Sequence, residues 1–402
     1  MTDLLCEISH KILSYDHLRT NGEQYRTLTD SNRIDCTYKK LDDTFILILN
    51  RVDKLPTINR PQEPLHPYPY DTTIIRFKSL DENLLLEGTL TIPNSGSSHP
   101  LVILISGQGK HDRNGENNGH KPFLVVADRL TRQGFSVFRF DERGVGNSEG
   151  NFESATTLDF ADDIEAAIAS LKRRHDIDSL RLGLIGHSEG AVVASMVAAK
   201  YKQIAAAVLL GRPGVIYEEI VFEQLTRMWK SANIPDSLTA LYLNFQKQLI
   251  NVVKVESDSS ICKNKLLDVA NKTFSTLTEQ QKDVLGLSKE RLVYQALSYS
   301  NPWSQFYFRY DPIPVLQEVK CPILIMYGLK DYQVPPEQSL PPIKRILSAS
   351  RHQSYRILIF PDLNHLFQTA ETGSYLEFAR IEETFAPAAL DSITNFLLNH
   401  LF

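Results

Sequence analysis

The segment Gly186–Gly190 constrains the fold more than any other part of this 402-residue chain. Its sequence, Gly-His-Ser-Glu-Gly, follows the apolar run at 181–185 and precedes a stretch of small residues at 191–199. The first run predicts a buried strand and the second predicts a helix. Glycines two residues before and after Ser188 let a strand and a helix meet at a sharp turn, because no Cβ atom collides there. We therefore predict that Ser188 is a nucleophile presented at the edge of a sheet.

Apolar runs alternate with helical patterns from residue 73 onward, which predicts a mostly parallel sheet with helices on both faces. No helical segment separates the first two strands, so we expect the sheet to begin antiparallel. The helical patterns between strands include 123–131 and 158–173. The eight predicted strands are Ile74–Phe77, Leu84–Ile92, Leu101–Ser106, Phe135–Phe140, Arg181–Gly186, Ala205–Leu210, Pro322–Tyr327 and Ser354–Phe360.

The alternation stops between residues 215 and 319, where only helical patterns occur. This insertion follows the sixth strand, at the edge where the carboxyl ends of the strands open, and we interpret it as a helical cap over the site. An aromatic cluster ends the insertion, and we expect one or two of its members to face a substrate pocket. The predicted helices are Tyr217–Lys230, Ser237–Val255, Cys262–Phe274 and Thr278–Ser300, and the aromatic residues are Trp303, Phe306, Tyr307, Phe308 and Tyr310.

The N-terminal segment differs from the remainder of the chain. Apolar residues at 4–13 recur at helical spacing, Thr44–Leu49 predicts a short strand, and five prolines at 56–69 indicate a stiff connector. We therefore predict an appendage with a Pro-rich linker at 1–70, a core formed by 71–214 and 320–402, and the cap insertion at 215–319.

Composition excludes several classes of function. The net charge is -5 and no dense Lys/Arg cluster occurs, so we expect neither nucleic acid nor an anionic membrane as a partner. The four cysteines are far apart and none forms a C-x-x-C pair, which argues against a zinc site and against a disulfide framework. No apolar segment has the length of a bilayer span, and the start lacks the pattern of a secretory signal. We predict a cytoplasmic protein without metal or cofactor.

A serine hydroxyl needs a base, and the base needs an orienting carboxylate. In a doubly wound sheet such groups lie in loops that follow the carboxyl ends of strands. His365 follows the last predicted strand and is the favoured base, and Asp331 follows the seventh and is the favoured acid, in the order Ser, acid, His. Glu337 and Asp362 are rival acids, although Asp362 is expected to form a turn.

The remaining loops supply a candidate oxyanion hole and a structural turn. The glycines of Ser106–Gly109 allow close approach of the backbone, so the main-chain N–H groups of Gln108 and Glu189 are the predicted donors. His111 and His120 either shape the pocket or are solvated. The glycines at 141–148 do not match a dinucleotide-binding spacing, and we interpret this segment as a turn braced by Asp141 with Arg143.

These motifs together resemble the α/β-hydrolases, in particular bacterial esterases and serine-aminopeptidase-like hydrolases, from about residue 62 to the C-terminus. The resemblance lies in the I-S-G-x-G loop at 105–109, the D-x-R-G-x-G-x-S turn at 141–148, G-H-S-E-G at 186–190 and L-N-H at 363–365. It implies hydrolysis of carboxylic esters with modest acyl chains, without a cofactor. The chain departs from the family at Gln108, where members often have Ser-Gly-Pro in the loop, and at Arg212, which replaces a small residue. Arg212 either attracts an acidic group of the substrate or forms a surface pair.

The resulting hypothesis is a serine hydrolase that forms an acyl-enzyme on Ser188 and releases the acid with water activated through His365. Its substrate is a small-molecule ester. Aminopeptidase or dipeptidyl-peptidase-like activity and acyl-CoA thioester hydrolysis stay open as alternatives, because they use the same machinery. A non-catalytic binding protein on the same fold is disfavoured, since no triad residue is missing. The sequence leaves the oligomeric state open.

Overall fold

The computed structural model describes residues 24–28, 32–41 and 44–54 as backbone, and 58–80, 84–350, 352 and 354–402 in full apart from the side chains of Ser231 and Leu376. The predicted helical spacing at 4–13 lies outside the described residues. The chain divides into two compact units. One unit comprises Arg60–Gln224 with Phe306–Phe402, and the other comprises Leu225–Gln305 with the chain before Arg60.

Three N-terminal strands form an antiparallel sheet in the order β1-β2-β3. They are β1 (Gln24–Leu28), β2 (Asn32–Leu41) and β3 (Thr44–Lys54). The sequence predicted only the first part of β3. It missed β1 and β2 because their residues are largely polar and give no apolar run, although strands in small antiparallel sheets need no such run.

The larger unit is built on an eight-stranded sheet, which confirms the predicted α/β-hydrolase fold class. The strand order is β11-β10-β9-β8-β6-β7-β5-β4, and β5 runs in the direction opposite to the other seven strands. The order reverses around β6, so the carboxyl ends of β6 and β8 flank a crevice of the kind that holds ligands in such sheets. The strands are β4 (Tyr70–Lys78), β5 (Leu85–Pro93), β6 (His99–Ile105), β7 (Ser136–Phe140), β8 (Ile177–His187), β9 (Ile204–Leu210), β10 (Ile323–Gly328) and β11 (Tyr355–Phe360).

Helices cover both faces of this sheet and form a core on each side. Apolar residues of α2 (Thr157–Leu171), α3 (Glu189–Lys200) and α11 (Pro336–Ala349) pack in one core, and those of α1 (Pro122–Thr131) and α13 (Pro387–Leu401) pack in the other. The central strands therefore have apolar side chains on both faces, as their continuous hydrophobic runs predict. A short helix α12 (Tyr375–Phe378) precedes α13.

The segment between β9 and β10 is helical, as predicted. One predicted helix is wrong in extent, since Thr278–Ser300 is two helices that break at Gly286. Gly286 has a φ of 58°, a left-handed conformation that ends a helix, and Ser288 caps the next one through its side chain. The helices are α4 (Tyr217–Ser231), α5 (Asp236–Val255), α6 (Ser259–Thr276), α7 (Glu279–Leu285), α8 (Lys289–Ser298), α9 (Pro302–Tyr307) and α10 (Val315–Glu318).

Membrane-spanning helices and metal-ligand groups were sought in the described part of the chain. None of its helices has both the length and the apolar character to cross a bilayer. Its His, Cys, Asp and Glu side chains form no group of three or more arranged to hold a metal ion.

Candidate active site

Ser188 lies at the turn between β8 and α3, as the sequence predicted. Its φ is 56° and its ψ is -119°, a conformation that costs energy for a residue with a side chain. A Cβ atom at Gly186 would overlap the carbonyl of Gly190, and one at Gly190 would overlap the carbonyl oxygen of Ser106. Both glycines are therefore required by sterics, and the turn can form only with this spacing.

Asp331 and His365 lie in the loops after β10 and β11, two adjacent parallel strands. The Nδ1 atom of His365 is 2.7 Å from Asp331 Oδ2, and the two residues are 3% and 1% exposed. The other carboxylate oxygen of Asp331 accepts hydrogen bonds of 2.8 Å from the main-chain N–H groups of Gln333 and Val334. The carboxylate is thus held in place by the main chain and orients the His365 ring through Nδ1.

Ser188 and His365 line the same cavity, which has a volume of about 120 Å³. The walls differ in polarity. Apolar side chains form one part, and hydrogen-bonding side chains form the other. The apolar part includes Pro122, Phe123, Leu366 and Phe385, and the polar part includes Gln108, Tyr217, Gln224 and Gln333. Tyr307 of the predicted aromatic cluster also lines the cavity.

The loop after β6 passes directly over the serine turn. A Cβ atom at Gly107 would lie 3.1 Å from Ser188 Cβ and 3.1 Å from the carbonyl oxygen of His187, so the loop and the turn are in close contact. The next residue, Gln108, and the first residue of α3, Glu189, line the cavity beside Ser188. The N-terminus of α3 favours negative charge at this position through its dipole.

A family model described as serine aminopeptidase S33 matches residues 101–371, more than half of the chain. The chain belongs to the serine aminopeptidase S33 family. This match agrees with the α/β-hydrolase fold of the eight-stranded sheet.

The proteins to which this chain is similar include esterases and an acylamino-acid-releasing enzyme. Esterase EstD of Thermotoga maritima is 24% identical over 292 residues, which cover 72% of this chain and 60% of EstD. The acylamino-acid-releasing enzyme of Rattus norvegicus is 22% identical over 331 residues, 81% of this chain and 36% of that enzyme. Among solved structures, the esterase Pf2001 of Pyrococcus furiosus superposes with a TM-score of 0.50 at 17% identity, covering 86% of this chain and 98% of that one. The last similarity supports the fold alone.

The rival acids of this S33-family chain lie apart from the cavity. Asp362 is exposed and its side chain pairs with Lys330 at 3.2 Å, while Glu337 is exposed on the first turn of α11. Neither residue lines the cavity. Asp331 is the acid that contacts the His365 ring.

Three further histidines surround the site without matching the role of His365. His187 donates from Nε2 to the main-chain carbonyl of His365 at 2.8 Å, and burial, with the His365 ring nearby, lowers the pKa of His187 to about 3. His111 lines the cavity, whereas His120 is fully buried outside it. The solvated alternative is therefore wrong for His120, while the partly exposed His111 contributes to the wall of the cavity.

The glycine-containing turn at 141–148 is structural, but its predicted brace is wrong. Asp141 pairs with Arg113 at 2.6 Å, and Arg143 pairs with Asp163 at 2.8 Å on helix α2. Arg113 also reaches Glu87 at 2.8 Å, so this ion network supports the loop that carries Gln108. Asp141 and Arg143 therefore have separate partners, 28 and 20 positions away in the sequence, which no local pattern could show.

Both roles considered for Arg212 are also wrong. The side chain is fully buried and does not line the cavity. Its guanidinium donates to Ser195 Oγ at 3.1 Å, to the carbonyl of Pro213 at 2.7 Å and to the carbonyl of Pro312. Arg212 therefore ties the segment after β9 to its surroundings, and its flanking Gly211 and Pro213 gave no signal of this burial.

Proposed function

We propose that the protein is a serine esterase that hydrolyses carboxylic esters with short to medium acyl chains through an acyl-enzyme on Ser188. One observation carries the proposal. Ser188 lies on a glycine-flanked turn with positive φ and shares a cavity with His365, whose Nδ1 is 2.7 Å from the buried carboxylate of Asp331. A serine nucleophile needs a base beside it and a carboxylate that orients the base, and these three residues supply those groups.

In the proposed reaction, His365 Nε2 takes the proton of Ser188 as Oγ attacks the ester carbonyl carbon. The main-chain N–H groups of Gln108 and Glu189 donate to the oxygen that becomes negative. His365 then gives its proton to the leaving alcohol, and the acyl-enzyme forms. A water molecule, deprotonated by His365, attacks the acyl carbon, the acid leaves and Ser188 regains its proton. Asp331 orients the ring and stabilises its cationic form throughout.

The size and charge of the cavity favour small uncharged esters. Its volume of about 120 Å³ is below the roughly 300–1,000 Å³ of cavities that hold drug-sized ligands. Its lining within the described residues includes no Lys or Arg, the side chains that recognise phosphate groups such as those of an acyl-CoA. Glu189, the carboxylate among the described lining residues, accepts a hydrogen bond of 2.6 Å from Thr157 and is buried, which disfavours it as the partner of a peptide α-ammonium group.

An aminopeptidase is the second candidate, because the family description names that activity. The name of EstD favours the ester instead. Three statements stay predictions. They are that residues 215–319 form a cap, that residues 1–70 form an appendage, and that the protein is cytoplasmic.

The test combines active-site labelling with a substrate panel. A fluorophosphonate probe should label the protein on Ser188 and should fail to label the Ser188→Ala variant. Among p-nitrophenyl esters of increasing acyl length, aminoacyl anilides and acyl-CoA thioesters, we expect the highest kcat/KM for esters with short to medium chains. Labelling that persists in Ser188→Ala would refute the nucleophile, and faster turnover of the anilides would establish the aminopeptidase in place of the esterase.

A further inference from the structure

The side chain of Gln108 is fixed within the cavity by a neighbouring helix. Its Oε1 accepts a hydrogen bond of 3.1 Å from the hydroxyl of Tyr217, and its main-chain carbonyl is 3.1 Å from Nε2 of His111. Hydrogen-bond partners therefore orient both the side-chain amide and the main-chain carbonyl of Gln108. This is the position at which the chain departs from the Ser-Gly-Pro that related loops often carry.

Tyr217 is itself held firmly. It begins α4, and with Ile220 and Gln224 it forms the stripe of that helix that lines the cavity, at the i, i+3, i+7 spacing of one helical face. Its ring lies 4.8 Å from the ring of Tyr307 and 5.1 Å from that of Phe308. Burial raises the pKa of Tyr217 to about 12, so the hydroxyl keeps its proton at neutral pH and can donate to Gln108.

This hydrogen bond leaves Nε2 of Gln108 as the outward group. An amide that accepts through Oε1 presents two N–H donors on Nε2, and within the described residues Nε2 has no hydrogen-bond acceptor. Gln108 lines the cavity and is exposed. Because the main-chain N–H of the same residue is the proposed oxyanion donor, Nε2 lies within one side-chain length of the scissile carbonyl.

We propose that Gln108 Nε2 binds an uncharged oxygen atom of the substrate close to the scissile carbonyl, so that the enzyme prefers esters whose acyl chain carries an ether, hydroxyl or carbonyl oxygen there. The inference rests on the proposed esterase function. An uncharged oxygen fits because the described lining offers donors from neutral groups and no Lys or Arg for a carboxylate. The apolar part of the cavity, which includes Phe123 and Phe385, receives the rest of the molecule.

Two esters of equal length test this preference. p-Nitrophenyl methoxyacetate and p-nitrophenyl butyrate differ by one oxygen in place of a methylene group. The readout is the ratio of their kcat/KM values, divided by the ratio of their hydroxide-catalysed rates to remove intrinsic reactivity. The parent enzyme should favour the methoxyacetate by about tenfold after this correction, the size of one good hydrogen bond.

Two variants assign the preference to the proposed pair, and a third serves as a control. Gln108→Met keeps the length of the side chain without its donors and should bring the corrected ratio down about tenfold, to near one. Tyr217→Phe removes the orienting hydroxyl and should lower the ratio by about threefold. Gln133→Met changes an exposed glutamine in the loop after α1, which does not line the cavity. Its corrected ratio should equal that of the parent enzyme.

Each outcome decides the inference. A ratio that is the same in the parent and in Gln108→Met overturns it, and so does an equal slowing of both esters, which would mean that the side chain supports only the oxyanion loop. If the parent hydrolyses neither ester, the esterase proposal fails and takes this inference with it. Failure of this inference alone looks different, because the butyrate is then hydrolysed normally and only the corrected ratio is unchanged in Gln108→Met.

Discussion

The serine turn and the Asp331–His365 pair are two halves of one candidate site that are built in different ways. The turn occupies five consecutive residues, and its shape follows from backbone contacts of Gly186 and Gly190. The pair joins residues 34 positions apart, and its geometry follows from side-chain hydrogen bonds. Two adjacent parallel strands, with Gly328 paired to Phe360, place its loops side by side.

This difference predicts how each half responds to change. Atoms added to the backbone should disrupt the turn, whereas a change of hydrogen-bonding chemistry at constant shape should disrupt the pair. A Cβ atom at Gly328 would overlap the carbonyl of Leu363, so the pair also depends on one close approach of the backbone, but its chemistry lies in the side chains.

The largest effect is expected from Gly190→Ala. The added methyl group would overlap the carbonyl oxygen of Ser106, so the turn must open and Ser188 must move. We expect esterase activity to fall as far as on removal of the nucleophile, by about 10⁶-fold. Rates and circular dichroism measured together separate loss of the site from loss of the fold.

Gly183→Ala, on the strand β8 that leads into the turn, is the matched control. The three atoms nearest to its methyl group would all be side-chain atoms, namely Leu401 Cδ1 at 2.9 Å, Leu397 Cδ2 at 3.4 Å and Val102 Cγ2 at 3.6 Å. Side chains can shift where backbone cannot, so activity should change by less than about threefold. A folded Gly190→Ala protein with activity near that of the parent would contradict a sterically required turn.

The next effect is expected from Asp331→Asn, which keeps the shape of the side chain. The amide no longer holds His365 in the tautomer that leaves Nε2 as a base, so we expect kcat to fall by about 10⁴-fold with an unchanged fold. Asp362→Asn is the control, because Asp362 is exposed and does not contact His365. Equal small effects of both substitutions on kcat would move the acid to another residue.

The smallest expected effect is on the free energy of unfolding. It concerns the segment that follows His365 and does not involve the serine turn. The loop after His365 rests on His120, whose Nε2 lies 2.8 Å from the carbonyl of Phe378 and whose Nδ1 lies 3.0 Å from Thr384 Oγ1. Burial lowers the pKa of His120 from 6.5 to about 4. Between these pH values the unfolded chain binds a proton that the folded chain excludes, so the free energy of unfolding falls as the pH falls.

This shift corresponds to about 3 kcal/mol lost between pH 6.5 and 4. Urea unfolding at several pH values measures it. His120→Gln should be less stable than the parent at pH 7 and should lose less stability on acidification. If the free energy of unfolding depends on pH in the same way in both proteins, the burial of His120 does not cause the loss of stability at low pH.

The accuracy of the sequence predictions followed the locality of the signal. The eight strands of the main sheet and the turn at Ser188 were predicted because continuous apolar runs and a five-residue motif specify them. Asp331 and His365 were selected by their positions after strands, and the structure brings their side chains into contact. The partner of Asp141, the burial of Arg212 and the break at Gly286 were missed or misassigned, because each depends on neighbours distant in sequence or on one backbone conformation.

By itself, the sequence determined the sheet, the strained turn and the candidate residues of the site. It could do so because hydrophobic periodicity and glycine spacing act over a few residues. Only the tertiary structure decided which carboxylate meets His365, which arginine supports the loop that carries Gln108 and which way the Gln108 amide faces. Hydrogen bonds and ion pairs select partners by distance and angle in space, and residues such as Tyr217 and Arg113 reach their partners only after the chain has folded.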